Sequence, residues 1–234
     1  MRSSIVPALI GVSTIALTTI AAPAPAAAAV FQAESGVTSV FLNFEEVLSP
    51  LGINLVGADN VTTPAEGPFQ VGFTITPETN FTFSHEDGFT PISGTIEHVG
   101  SVTLSIDTLA DNVTVGNFTI GFDPNRASDT LTGFFVQDTL SLNAILFDIT
   151  TPPTGFNLTS DELLLGSGLA ISPEFASVLE QLGKPNLSGA VVGEAQVNAN
   201  LQASTASVPE PSSILGLLAM GAIAVSGHRR LRNK

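Results

Sequence analysis

The chain has 234 residues, no Cys, no Tyr and no Trp, and a formal charge of −14. It therefore has room for one ordinary domain with appendages, and it has no disulfide, no thiolate nucleophile and no cysteine zinc site. Residues 30–208 hold 20 of the 21 acidic residues but only two basic ones, Arg126 and Lys184, and so acidic a body repels phosphate backbones and anionic headgroups, which excludes nucleic acid as a partner.

The start, "MRSSIVPALIGVSTIALTTIAAPAPAAAAV", puts one Arg before an apolar stretch from Ile5 to about Ala22, then a run of small residues. This is the layout of a secretory signal peptide over 1–29, with signal-peptidase cleavage after Ala29 as first choice and after Ala24-Pro25-Ala26 as second. A retained N-terminal anchor is the alternative.

From residue 30 to 203 the pattern is that of an acidic, all-β extracellular domain. All fifteen Phe fall between Phe31 and Phe175 and mark the folded body. "FQVGFTIT" alternates, with Phe69, Val71, Phe73 and Ile75 on one face and polar residues or Gly on the other. "SVTLSID" repeats this with Val102, Leu104 and Ile106, and "GEAQVNANLQ" with Ala195, Val197, Ala199 and Leu201. One apolar and one polar face predict antiparallel sheet packed on a core. "DNVTVGNFTIGFD" changes parity between Val115 and Phe118, which predicts a β-bulge near Gly116-Asn117.

One helix is expected near 173–182, in "SPEFASVLEQLGKP". Ser172 is its cap, Pro173 its first residue, and Phe175, Val178, Leu179 and Leu182 its apolar stripe; Gly183 and Pro185 end it. The fold class is mainly β: an antiparallel sandwich or barrel-like domain with this one short helix, plus an N-terminal signal helix and a C-terminal transmembrane helix.

Chemistry in the body is sparse. His98, in "GTIEHVGSVTL", shares parity with Ile96, Val102 and Leu104, so an unbroken strand points it inward; there it is a haem or metal ligand or a hydrogen-bonded core residue, and a turn at Val99-Gly100 would uncouple the parity. His85 lies in the turn-like "SHEDG". "DPNRASD" offers Asp123, Asn125 and Asp129 as oxygen ligands for calcium, and "DTLADN" offers Asp107, Asp111 and Asn112, neither with the glycine and terminal Glu of an EF-hand. There is no G-x-S-x-G, no H-E-x-x-H and no evident carboxylate pair. No catalytic residue and no cofactor are therefore assigned. Six Asn-x-Ser/Thr sequons are read as polar strand and turn composition.

The far end has three ordered parts. Residues 204–211 are a small, polar linker closed by Val208-Pro209-Glu210-Pro211, which the two prolines hold extended. Ser212 to Gly227 is uncharged and apolar; sixteen residues at ~1.5 Å each reach about 24 Å, enough to span if the bilayer thins and the flanking Arg side chains snorkel. In the tail 228–234, Arg229, Arg230, Arg232 and Lys234 keep that end cytoplasmic and the body outside. Over 208–234 the chain resembles the PEP-CTERM sorting signal. The resemblance implies processing by an exosortase, a membrane-embedded cysteine protease or transpeptidase, in a bacterium that makes exopolysaccharide, which is a further implied partner.

A second resemblance covers more chain. "VGFTITPETNFTF", "ISGTIEHVGSVTLSID" and "NVTVGNFTIGFDP" are similar to secreted all-β HtaA-like modules, whose haem-binding members imply Tyr and His axial ligands; this chain offers no Tyr. The expectation is an exported, non-enzymatic bacterial surface or extracellular-matrix protein, anchored in the membrane at its C-terminus before sorting. A secreted ligand-binding module for haem, calcium or glycan is the alternative, and a hydrolase of surface polysaccharide the third reading.

Overall fold

A computed structural model describes residues 29–204, apart from 86–88 and Pro152. Residues 1–28 of the signal segment 1–29, the sorting segment 208–211, the apolar run and the basic tail lie outside the described residues.

Strand follows strand through most of the body. They are β1 (Val30–Leu42), β2 (Ile53–Asp59), β3 (Val71–Ile75), β4 (Thr82–Ser84), β5 (Thr90–Ser93), β6 (Ile96–Val99) and β7 (Ser101–Ile106). After them come β8 (Val113–Gly116), β9 (Thr119–Phe122), β10 (Leu131–Gln137), β11 (Ile145–Thr150), β12 (Gly155–Leu158), β13 (Glu162–Ile171) and β14 (Val191–Ser204). Helix α1 (Pro173–Gln181) lies between the last two.

Eight strands close on themselves in the order β1, β14, β13, β11, β10, β9, β6, β3 and back to β1, each pair antiparallel. Closure removes the free edges that an open sheet exposes. Of the two expected architectures, the barrel is the one formed. Its seam is the long pair β1–β14, in register from Val30 opposite Ser204 to Leu42 opposite Gly193, with one shift between Ala33 and Ser35. Beyond the circuit, β4 pairs the start of β1, β5 pairs β4, and β12 pairs the first half of β13.

The apolar faces are local and survive, although Gly72 on β3 is buried as well and Phe69 lies half-buried before the strand. Val71, Phe73 and Ile75 are buried on β3 while Thr74 is exposed, and Ala195, Val197, Ala199 and Leu201 are buried on β14. Small and large residues alternate on β14, as the taper of a small barrel requires.

The change of parity at Gly116-Asn117 has a different cause from the bulge expected there. β8 and β9 are separate strands in separate sheets, broken at Asn117, which adopts φ 46°. Gly100, at φ 116°, breaks β6 from β7 in the same way. Asn117 N–H donates to Gly100 C=O at 2.8 Å, locking the two breaks together. The hairpin β6–β7–β8–β9 is thus folded over across both strands. Its base belongs to the barrel, and its outer half joins β2 in a second, three-stranded sheet ordered β2–β7–β8.

Two cores result. One fills the barrel with Phe81, Phe83, Ile96, Phe134, Leu163 and Ala199 among others. The second lies between the small sheet, the barrel mouth and α1, and includes Ile53, Phe73, Leu104, Val115, Leu146 and Leu179. The helix starts as its sequence dictates: Pro173 occupies the first turn, and Ser172 Oγ accepts from Phe175 N–H at 3.0 Å while donating to Ile145 C=O at 2.6 Å. Ala176 and Leu179 are its fully buried residues, with Phe175 and Leu182 packed beside them. Among the described residues no helix is long and apolar enough to cross a membrane.

Candidate functional site

The fold-over of the hairpin leaves a space between the small sheet and the barrel. Strands β1, β3 and β6 bring Thr38, Val40, Phe73 and His98 to it, β7 and β8 bring Val102, Leu104 and Val115, and β13 and β14 bring Leu169 and Ala195. The result is a cavity of about 80 Å³. Phe73 and Phe118 meet edge to face on its wall with centroids 4.9 Å apart.

His98 is inward and only 5% exposed, in step with Ile96 on β6; the unbroken strand expected to carry it on to Val102 and Leu104 is interrupted at Gly100. Both ring nitrogens are engaged. Nδ1 lies 2.9 Å from Phe118 C=O, and because a carbonyl can only accept, Nδ1 carries the proton. That leaves Nε2 as the acceptor of the Thr38 hydroxyl proton at 2.7 Å. Burial pushes the imidazole down to about 4, against a smaller upward pull from the Phe118 carbonyl. His98 is therefore neutral at physiological pH. Thr38 and His98 turn their polar atoms on each other and present carbon to the cavity.

The other sequence-derived candidates are spread out. Asp123 caps a short 3₁₀ turn over Pro124–Arg126, its Oδ1 accepting from Asn125 N–H and Nδ2, each at 2.9 Å. Asp129 is exposed three residues beyond that turn. Asp107, from the second acidic string, is paired with Lys184. No cluster of three or more His, Cys, Asp or Glu positioned for a metal occurs among the described residues. Ala29 is exposed directly before β1. Sequon residues Asn60 and Asn117 take positive φ of 53° and 46°, and Asn80 and Asn186 accept backbone N–H bonds from Thr95 and Ser188, so these four act as turn formers.

Two polar centres carried little sequence signal. Asp138 is fully buried, and its carboxylate accepts from four backbone N–H groups: Gly116 at 2.7 Å, Leu140 at 3.2 Å, Ser141 at 3.1 Å and Leu142 at 2.6 Å. It ties the β10–β11 loop to the break at Gly116. Arg126 clamps two carboxylates. Nε and Nη2 reach Asp148 at 2.7 and 3.0 Å, and Nη1 and Nη2 reach Glu174 at 2.7 and 3.0 Å. The guanidinium holds the Glu174 carboxyl below its usual range. Only the scarcity of cations in the body hinted at this role, since each of the two is used in an ion pair.

The fold and cavity define a class: a closed eight-stranded antiparallel barrel whose mouth is roofed by a small sheet and a helix over an apolar space. The address is written elsewhere in the chain. A family model for the PEP-CTERM protein-sorting motif matches residues 207–230, a stretch that contains Val208-Pro209-Glu210-Pro211. The chain therefore carries a protein-sorting signal at its C-terminal end. No curated protein matches it in sequence. Among solved structures the chain is similar to the C-terminal domain of HtaA from Corynebacterium glutamicum, with 11% identity and a TM-score of 0.45, covering 74% of this chain and 99% of that one.

Proposed function

We propose that this is an exported, non-enzymatic protein of the bacterial surface or extracellular matrix, delivered through its C-terminal signal. The observation that carries the reading is the sorting motif at 207–230. In this reading a signal peptidase removes 1–29, and the segment 212–227 holds the chain in the membrane with the tail inside. An exosortase-type enzyme then acts near Pro209-Glu210-Pro211, leaving the acidic body among exopolysaccharide. The non-enzymatic part rests on how carboxylates are used: Asp138 is spent on four backbone N–H groups, and Asp148 and Glu174 on Arg126. Fractionation of cells expressing the chain with and without residues 208–234 tests the sorting. The truncated form is expected to leave the fraction in which the full chain accumulates, and an unchanged distribution defeats the proposal.

A ligand-binding role is the second reading, favoured for haem by the inward His98 and for calcium by the oxygen atoms of the turn at Asp123, not by the volume of the cavity. Its haem version needs His98 Nε2 to release Thr38 before it can meet iron. Addition of haemin to the full chain tests it: a Soret band lost in His98→Ala supports the haem reading, and no band removes it. Calcium at Asp123, Asn125 and Asp129 is the other version, for which Asp123→Ala should abolish any calcium-dependent rise in melting temperature.

A further inference from the structure

We propose that the cavity beneath the β2–β7–β8 sheet is a binding site for the aliphatic tail of an uncharged single-chain amphiphile. The inference concerns the body alone and stands apart from the sorting of the chain. The cavity's lining decides the chemistry. Its walls are carbon from Val40, Phe73, Leu104, Val115, Leu146 and Ala195, and the polar atoms of Thr38 and His98 are spent on each other and on Phe118 C=O. Among the described residues no buried side-chain N or O lacks a partner. A polar guest would lose its bonds to water and find none in return, at a cost of a few kcal/mol per group, whereas a hydrocarbon gains roughly 0.8 kcal/mol per buried CH₂.

Size and access narrow the guest further. The volume, about 80 Å³, is near half that of apolar cavities of about 150 Å³ that stay dry and accept benzene. It suits the end of a flexible chain rather than a ring system. Half-buried Leu42, Phe44, Leu55 and Phe175 line it together with exposed Gln70, so its outer end reaches the surface between β1, β2 and α1. Gln70 grips the backbone of Leu42 there, Nε2 donating to the carbonyl at 3.1 Å and Oε1 accepting the N–H at 3.0 Å.

Charge decides the headgroup. Glu45 and Glu46 stand beside Phe44 in the turn over Phe44–Leu48, and the body around them is strongly acidic. Its two cations are already paired, Arg126 with Asp148 and Glu174 and Lys184 with Asp107. A carboxylate or phosphate head at this opening meets repulsion and no partner.

The test uses the full chain labelled at Ile, Leu and Val methyls, titrated with 1-octanol and separately with octanoate at pH 8. With octanol, the methyls of Leu104, Val115, Leu146 and Leu169 should shift saturably while those of exposed Val56 and Val191 stay still. Octanoate should bind at least tenfold more weakly. Ala195→Leu, which puts a larger side chain into the same space, should weaken octanol binding at least tenfold. Leu104→Phe is run in parallel in case that variant does not fold. Uniform shifts at cavity and surface methyls, no saturation, or full affinity in the folded filling variant overturn the site. Equal affinity for octanoate overturns the uncharged headgroup.

Discussion

His98 turns burial into a pH dependence with a definite sign. Its imidazole titrates at about 4 in the folded chain and near 6.5 when unfolded. Between those values the unfolded chain takes up a proton that the folded chain refuses, so stability falls as pH drops below about 6.5 and levels off below about 4. The loss attributable to His98 is about 2 kcal/mol by pH 5. Thermal melts from pH 7.5 to 5 should fall more steeply for the wild type than for His98→Gln, and parallel curves would show that His98 is not the group responsible. Asp138 makes the opposite use of burial, as a charge held by four N–H donors. Asp138→Ala strands those donors and should cost about 3 kcal/mol, read as a melting temperature lower by about 6–12 °C for a body of this size. A change under 2 °C would mean that water satisfies the donors.

The β6–β7–β8–β9 hairpin is the element that makes the cavity, because its outer half leaves the barrel. Its fold-over depends on Gly100 at φ 116°, where an added Cβ would sit 2.6 Å from Asn60 C=O. Gly100→Ala combines backbone strain with a clash against backbone and should cost more than about 2 kcal/mol. Gly189 is the control, since it too has positive φ, 78°, but nothing lies within 4 Å of an added Cβ. Gly189→Ala should cost only the roughly 1–2 kcal/mol of the left-handed conformation. Denaturant midpoints for the two variants decide it: equal losses would mean that the neighbours of Gly100 yield, and that the hairpin is not pinned at this point.

The two cores are not independent. Val40, Leu42, Val136 and Phe147 pack against both, and β1 and β14 run the length of the barrel. Neither core can open while the other keeps these residues in place, so the body should unfold in one transition. Calorimetry should return a van't Hoff enthalpy equal to the calorimetric one, and two resolved transitions from the body would contradict this. The seam also sets a direction. Val30 and Ser204 are paired at one end of it, while Leu42, at the cavity's outer end, lies twelve residues away along β1, about 40 Å of strand. The cavity opening therefore lies at the end of the seam away from Val30 and Ser204.

Alternation on β3, β7 and β14, the capped helix at Pro173 and the sorting segment near Pro209 were legible in the chain, because each is written in residues a few positions apart. Strand faces repeat every two residues, and a cap and its N–H lie three apart, so no knowledge of the rest of the fold is needed to read them. His98 was legible by half: parity turned it inward, but its partner Thr38 is sixty residues distant, and only closure of β1 onto β3 and β3 onto β6 brings them together. The same holds for Arg126 with Glu174, 48 residues apart, and for Asp138 with Gly116, 22 apart. The choice of barrel over sandwich, the change of sheet at Gly100 and Asn117, and the cavity itself belong to tertiary structure. Each depends on which strands meet and how their side chains fill the space between them, and no local run of residues encodes that.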